Sequence, residues 1–542
     1  MQVSDTTAVV LLELDEAGEV ECVATAEDGS SVSQKRVFPG NEARAFQLEG
    51  MKPGTSYTYT FNGLAPSQKK EIDALRCNIT TFPAAADVKE VRVLVQSCDR
   101  PDRLLPQDTN PWSVLDDKCG AGECDLLLHL GDQVYTKMGG FLDRACMIMD
   151  LYDDPMTTEA SKKKMIAEAE EELRRSYRYV WGMPATRSVL AQSSHLMLWS
   201  DNDVANDFTE ATKKGSDEQK YSDQFIKSAM GVYTEYQRQL WDPSCEGQLP
   251  KDEGSVMEEW NFHTYGGLGV FMVDMRGNRI TAGGVMVKGD IMSAKQKKAL
   301  EEAFQTPGLS CMLVASEIPF VSESPAMVQE SAKFVKFLEG HWAYKEDECS
   351  WLYDLCFDWK AAKEGREVVL LGGDIHTGVM TELKCNKTNS VIKSVTASPI
   401  TNHVCGFFCQ KEGKFNDRYD WSHTHFPDMR NFCKIKATFE TEEGEGGGTK
   451  CTNLDVEMEL IPASKTDEQK CDALKDLMKK YRKNEAPSAE DDKAGAAMDK
   501  VGRVKAAARV KGANLVGAMA EEELEAVEEI RTPESRLKRP QT

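Results

Sequence analysis

The 542-residue chain is too long for one ordinary hydrophobic core and predicts a large unit with one or two smaller attachments. Its 89 acidic against 66 basic side chains give a formal charge of -23, which argues against a nucleic-acid backbone or an anionic membrane as partner; any anionic substrate needs bound metal, arginines or backbone N–H groups to reverse the field locally. The N-terminus lacks the basic, apolar and small-residue pattern of a secretory signal, no apolar run nears the roughly 20 residues that cross a bilayer, and the 16 scattered cysteines suit reduced thiols, so a cytoplasmic setting is expected.

Residues 1–85 alternate like short antiparallel strands: AVVLLEL, EVECVATA, ARAFQL, SYTYTF and LRCNITTF. Pro53 and Gly54 make a turn before the alternating aromatics, which suits a small β-sandwich of immunoglobulin or fibronectin type. PAAAD at 83–87 reads as a linker. Beyond it, VRVLVQS, DLLLHL, HLMLW, LGVFMVD, CMLVAS and EVVLLG are the continuous apolar runs of strands buried on both faces, so the class is α/β. Between them, residues 157–181 and 293–304 carry helical spacing and strong helix formers, predicting helices that cover the sheet. Residues 431–461 read as two strands joined by an acidic, Gly-rich loop, closing the large domain, 88–463. From 464 to 542 the chain is rich in Ala, Lys, Glu and Asp and nearly free of aromatics, a helical or disordered tail.

Several buried runs end in residues that metal chemistry uses. VRVLVQS leads to Cys98 and Asp99, DLLLHL to Asp132 and Tyr135, HLMLW to Asp201, Asn202, Asp203 and Asn206, and VVLLGG to Asp374 and His376. In open α/β sheets ligands bind beyond the carboxyl ends of the strands, so these clusters are expected to converge. For a phosphate ester, two cations about 3.5–4 Å apart hold the attacking and leaving oxygens, and a carboxylate must sit between them. Asp132, in a turn directly after a strand, suits that role. Asp374 and His376, one residue apart, present an oxygen and an imidazole to one side. Cys98 as thiolate and Tyr135 as phenolate favour a strongly Lewis-acidic metal, whereas Asp and Asn oxygens suit a harder divalent ion.

The ordered set SCDRPD, HLGDQVY, WSDNDVAND, VDMRGNR and GGDIHTG, together with PGTSYTYTF and VTASPITN, resembles the PhoD-like (alkaline phosphatase D) family of metallophosphoesterases, over all but the tail. The resemblance implies a four-layer sandwich of two β-sheets flanked by helices and phosphomonoesterase or phosphodiesterase activity. It also implies an iron and calcium site in which Cys98, Asp132, Tyr135, Asn206, Asp374 and His376 occupy ligand positions. Manganese, magnesium and zinc suit the same donors. One departure stands out: the family's His after the Trp-Ser/Asp-Asp run is Asn202 here, a hydrogen-bond donor that supplies no titrating proton.

The expected function is therefore metal-dependent hydrolysis of phosphate mono- or diesters by a metal-bound hydroxide, with Asn202, Asp203 and His376 at the reacting group. The alternative is a catalytically weakened binding or scaffold protein, for which Asn202 speaks. Plainer readings stand beside the sharp ones. Cys98 alone reads as a core thiol and Asp132 as a turn residue. Arg276 and Arg279 serve either a phosphate or a structural salt bridge. His423 and His425 read as a loop pair, His129 and His195 as satisfied core histidines, and Cys405 with Cys409 only weakly as a zinc site.

Overall fold

The computed structural model describes residues 1–105, 107–205, 223–247, 259–277, 281–282, 285–286, 290–332, 340–404, 411–441 and 448–463. Two small antiparallel sheets open the chain: Gln2–Val3, Thr7–Glu13 and Ala43–Glu49 in one, and Ser31–Phe38, Gly18–Ala26, Ser56–Asn62 and Asn78–Thr80, in that order, in the other. The alternation in SYTYTFN is what builds them, since Tyr57, Tyr59 and Phe61 turn inward while their neighbours face solvent. Phe46 joins the layers, with ring centroids 5.5 Å from Phe38 and 5.7 Å from Phe61. Two elements here have no apolar signal to announce them. The strand Ser31–Phe38 buries only Phe38 fully, and the helix Pro66–Ile72 buries nothing.

The larger body holds a five-stranded and an eight-stranded sheet. The first runs Ser194–Leu198, Leu126–Leu130, Glu90–Gln96, Met429–Thr441, Thr449–Pro462, with its first three strands parallel and the last two antiparallel. The second runs Asn261–Tyr265, Leu268–Met272, Cys311–Ala315, Glu367–Gly372, Val391–Thr396, Gly378–Cys385, Tyr419–Phe426, Glu412–Phe415, with four parallel strands from Leu268–Met272 to Val391–Thr396. Two-residue periodicity assigns the apolar side chains to layers. Val91, Val93 and Val95, Leu126, Leu128 and Leu130 of one sheet meet Leu268, Val270, Leu313 and Val369 of the other. The intervening residues face outward: Met312, Val314, Val368 and Leu370 pack under helices on one outer face, Leu94 and Leu127 on the other. Each strand is apolar throughout because each face has its own partner layer.

The helix Glu159–Trp181 starts where Thr158 Oγ1 accepts the Ser161 N–H at 3.2 Å, and buries Ala169, Leu173, Tyr177 and Val180 along one stripe. Leu173 and Val180 each contribute about 1.5–3 kcal/mol. The helix Ala294–Phe304 covers the other sheet through Leu300, Ala303 and Phe304.

The loop expected around WSHTHF is instead the strand Tyr419–Phe426, paired along its whole length with Gly378–Cys385. His423 is fixed there, within 2.7 Å of both Thr381 Oγ1 and the Ser322 carbonyl, so His423 and His425 are sheet residues. The polar run Asp-Trp-Ser-His-Thr-His hides a strand whose outer face is wet. Every described cysteine is a free thiol, and no helix among the described residues is long and apolar enough to cross a membrane. Cys405, Cys409 and the tail 464–542 lie outside the described residues.

Candidate metal centre

The strands Glu90–Gln96, Leu126–Leu130 and Ser194–Leu198 are parallel neighbours, and Glu367–Gly372 runs in the facing sheet. The chain turns sharply after each. Cys98, Asp132, Asp374 and His376 all have positive φ, 60°, 54°, 65° and 52°. These are four of the eight described non-glycine residues in that sparsely populated region, and they gather at one place, as backbone strain does at functional sites. The turns lean on one another: Asp99 N–H donates to the Asp132 carbonyl at 3.0 Å, Gly373 N–H to that of Glu317 at 2.9 Å, and Thr136 N–H to that of Asn202 at 3.2 Å. Glycine is required at two contacts. A Cβ on Gly131, whose φ is +88°, would lie 2.6 Å from Ser200 Cβ, and one on Gly373 would lie 2.6 Å from Ser97 Oγ.

Two sets of donors result. Cys98, Asp132 and His376 bring one donor atom each within 4.8 Å of the others, and so do Asp132, Asp201 and Asp374. Asp132 belongs to both. Its Oδ2 accepts from Tyr135 OH at 2.8 Å and lies 3.5 Å from Cys98 Sγ and 3.4 Å from Asn202 Nδ2. Its buried Oδ1 has no hydrogen-bond partner among the described residues, and neither has Nδ1 of the buried His376. Such atoms are costly unless something else satisfies them. His376 Nε2 lies 3.2 Å from both Tyr135 OH and Asn402 Nδ2. Ser398 Oγ is 3.2 Å from Cys98 Sγ, and the ring of His403 crosses that of His376 edge-on with centroids 5.0 Å apart.

The electrostatics ask for cations. Burial pushes the Asp132 carboxyl well above the usual carboxylate range, and Asp201, Asp374 and Asp203 add to the shift. Burial also drives the Cys98 thiol up, reinforced by Asp132 and Asp374, while burial and the charges of Arg100 and Arg103 push His376 down to about 3. A neutral imidazole and a cluster of like-charged carboxylates beside a thiol are what a metal pair would stabilise. The donor set fits.

The structure brings together Cys98, Asp132, Tyr135, Asn202, Asp374 and His376 of the residues expected from the sequence. Asp203 stands apart from the donors. Its Oδ1 accepts the N–H groups of Gln133 at 3.0 Å and Val134 at 3.2 Å, and Oδ2 that of Ser200 at 2.8 Å, so it clamps the turn that carries Asp132 and Tyr135. Arg276 makes salt bridges. Buried, it lies 2.5 Å from Glu317 and 3.3 Å from Asp201. Asn206 and Arg279 lie outside the described residues. His129 and His195 are the satisfied core pair expected, His129 Nδ1 lying 2.9 Å from Gln133 Oε1 and its Nε2 3.0 Å from His195 Nδ1.

Asp201, named with its neighbours at the end of HLMLW, was given no role of its own there and belongs to one donor set. Three participants escaped the sequence reading. Asn402 and Ser398 lie in VTASPITN, directly beyond the strand Val391–Thr396, a position that marks them once the strand is known. Arg100, in SCDRPD, lies over the Tyr135 ring with its guanidinium carbon 5.5 Å from the centroid.

A family model described as PhoD-like phosphatase matches residues 107–443. Among solved structures, that of PhoD is similar at TM-score 0.58 and 13% identity, over 85% of this chain and 91% of the other. The purple acid phosphatase PPD1 from seeds of yellow lupin (Lupinus luteus) is similar at TM-score 0.48 and 11% identity, over 85% of this chain and 71% of its own. No curated protein matches in sequence. The first likeness bears out a mixed α/β fold with several sheets.

Proposed function

The chain belongs to the PhoD-like phosphatase family, and from that premise we propose that it hydrolyses phosphate esters at a two-cation centre bridged by Asp132. The observation that carries this reading is the position of Asp132 in both donor sets, with Oδ1 buried and without a hydrogen-bond partner among the described residues. Cys98, Tyr135 and His376 complete one site around it. Asp374 and Asp201 complete the other, to which Asn206 is added by resemblance.

Bound there, the cations would supply charge neutralisation for the phosphoryl group and a lowered pKa for water. The chain's own residues do the rest. Asp203 and Arg276 hold the turns so that Asp132 and Asp201 stay in register, a division of labour between ligands and their supports that metal sites require. Asn202 offers its amide N–H to a phosphoryl oxygen, and Arg100 a guanidinium on the side of Tyr135. Thiolate and phenolate donors suit iron at the first site, and the oxygen donors of the second suit calcium, manganese or magnesium.

Asn202 favours one second reading, a weakened enzyme that binds phosphate esters without turning them over, because no imidazole stands where the family has one. Purified full-length protein, assayed with nitrophenyl phosphate and bis-nitrophenyl phosphate, separates the two. The enzyme reading expects turnover that is abolished in Asp132→Ala and Asp374→Ala. Activity surviving both substitutions would overturn it, and metal binding without turnover in the wild type would establish the binding protein.

A further inference from the structure

One turn of helix beyond the metal centre does unusual work. Residues Thr234–Arg238 form a π-helical turn, in which the widened spacing fans consecutive side chains toward different neighbours. Glu235 pairs with Arg174 of the helix Glu159–Trp181, with contacts of 2.6 and 2.8 Å. Tyr236 donates its hydroxyl at 2.6 Å to Glu13, the last residue of a strand in the N-terminal sheet, and stacks on Tyr177 with centroids 4.4 Å apart and planes 8° from parallel. Gln237 donates through Nε2 to Asp203 Oδ1 at 3.1 Å and to the Tyr177 hydroxyl at 3.0 Å. Gln239, one residue past the turn, behaves like an extra strand residue: it donates to the Ala43 carbonyl at 3.0 Å and accepts from Ala45 N–H at 2.9 Å.

Asp203 Oδ1 is also the acceptor for the Gln133 and Val134 N–H groups, the backbone between Asp132 and Tyr135. A continuous path of contacts thus runs from Glu13 through Tyr236, Tyr177 and Gln237 to Asp203 and the turn that presents both ligands. Gln237 is buried, and its Oε1 has no hydrogen-bond partner among the described residues. A buried amide held with its carbonyl unpaired is unfavourable for stability, and here it keeps the N–H side on the carboxylate.

We infer that Gln237 is a positioning residue for the metal centre and that, through the π-helical turn, the three-stranded N-terminal sheet is a working part of that centre rather than an appendage. This rests on the metallophosphoesterase reading. Residues that orient ligands without touching metal carry about ten- to a hundredfold in metal affinity, and Gln237 acts one contact further out, through Asp203.

The test uses full-length protein stripped of metal and titrated with Mn(II), followed by electron paramagnetic resonance, for the wild type, Gln237→Leu, Tyr236→Phe and the double variant. Gln237→Leu removes the unpaired carbonyl along with the N–H, so its melting temperature should hold or rise while Mn(II) affinity falls about tenfold. Its kcat on nitrophenyl phosphate at saturating metal should fall with KM little changed. Tyr236→Phe should weaken Mn(II) binding less, and the double variant no more than Gln237→Leu alone, as expected for contacts in one path. A Gln237→Leu protein that melts lower yet binds Mn(II) as tightly as the wild type would overturn the inference and leave Gln237 a packing residue. If Gln237→Leu does not fold, an unchanged Mn(II) affinity in Tyr236→Phe overturns it equally. Failure of the wild type to bind Mn(II) would instead strike the metal reading beneath it.

Discussion

Replacing Arg276 separates a structural from a substrate-binding role. Its guanidinium lies between two buried carboxylates, 2.5 Å from Glu317 and 3.3 Å from Asp201, with Ser200 Oγ at 3.4 Å. Arg276→Met removes the guanidinium from between the two buried carboxylates, and breaking a buried pair in this way costs about 3–5 kcal/mol. Equilibrium urea unfolding monitored by tryptophan fluorescence should show a loss of that size in the stability of the large domain. Arg276→Met combined with Glu317→Leu replaces the closer of the two ion pairs by apolar side chains and should recover part of that loss, because a well-packed apolar replacement of an ion pair is often neutral. KM for nitrophenyl phosphate, measured where the variant is folded, should change less than threefold. Unaltered unfolding together with a tenfold or larger rise in KM would refute this reasoning and return Arg276 to the substrate.

Gly131→Ala should prevent a stable fold or cost several kcal/mol, since the new Cβ meets Ser200 Cβ at 2.6 Å on a φ of +88°; circular dichroism melting checks it. Asn202→His restores a titrating group beside Asp132 and should raise kcat at least tenfold while adding an ionisation near pH 6.5 to the rate profile, which stopped assays across pH will register. Burial holds His129 neutral, its pKa lowered to about 3. A folded-state pKa below the unfolded value means that stability is full above about pH 6.5 and is lost as pH falls toward 3. His129→Gln should flatten part of that loss in urea unfolding measured between pH 4 and 7.

Much of the fold was legible because it follows from periodicity. The six apolar runs between VRVLVQS and EVVLLG all form strands, and their lack of alternation foretold burial on both faces, as the layers on either side of Cys311–Ala315 explain. Elements whose stability comes from pairing rather than burial were illegible: Ser31–Phe38 is an edge strand with polar alternation, and Tyr419–Phe426 carries Asp, Ser and two histidines into a sheet. The same division holds at the site. Strand ends advertised Asp132, Asp374 and His376, because a Gly-Asp turn after an apolar run is a local signal. Asp203 reads the same locally as a ligand, and only its three backbone N–H partners reveal a clamp. The ion pair of Arg276 was illegible because its partner Glu317 lies 41 residues away in sequence. Gln237 had no signal at all, since its task depends on one π-helical turn and on an aspartate 34 residues before it.

The central claim is a pair of cations sharing Asp132, and metal analysis of full-length protein purified without chelators tests it most directly. Inductively coupled plasma mass spectrometry should find about two metal ions per wild-type chain, at least one of them a transition metal, with Asp132→Ala losing both sites. A folded wild-type protein that remains metal-free after incubation with iron, manganese and calcium, or an Asp132→Ala variant as fully loaded as the wild type, would contradict it.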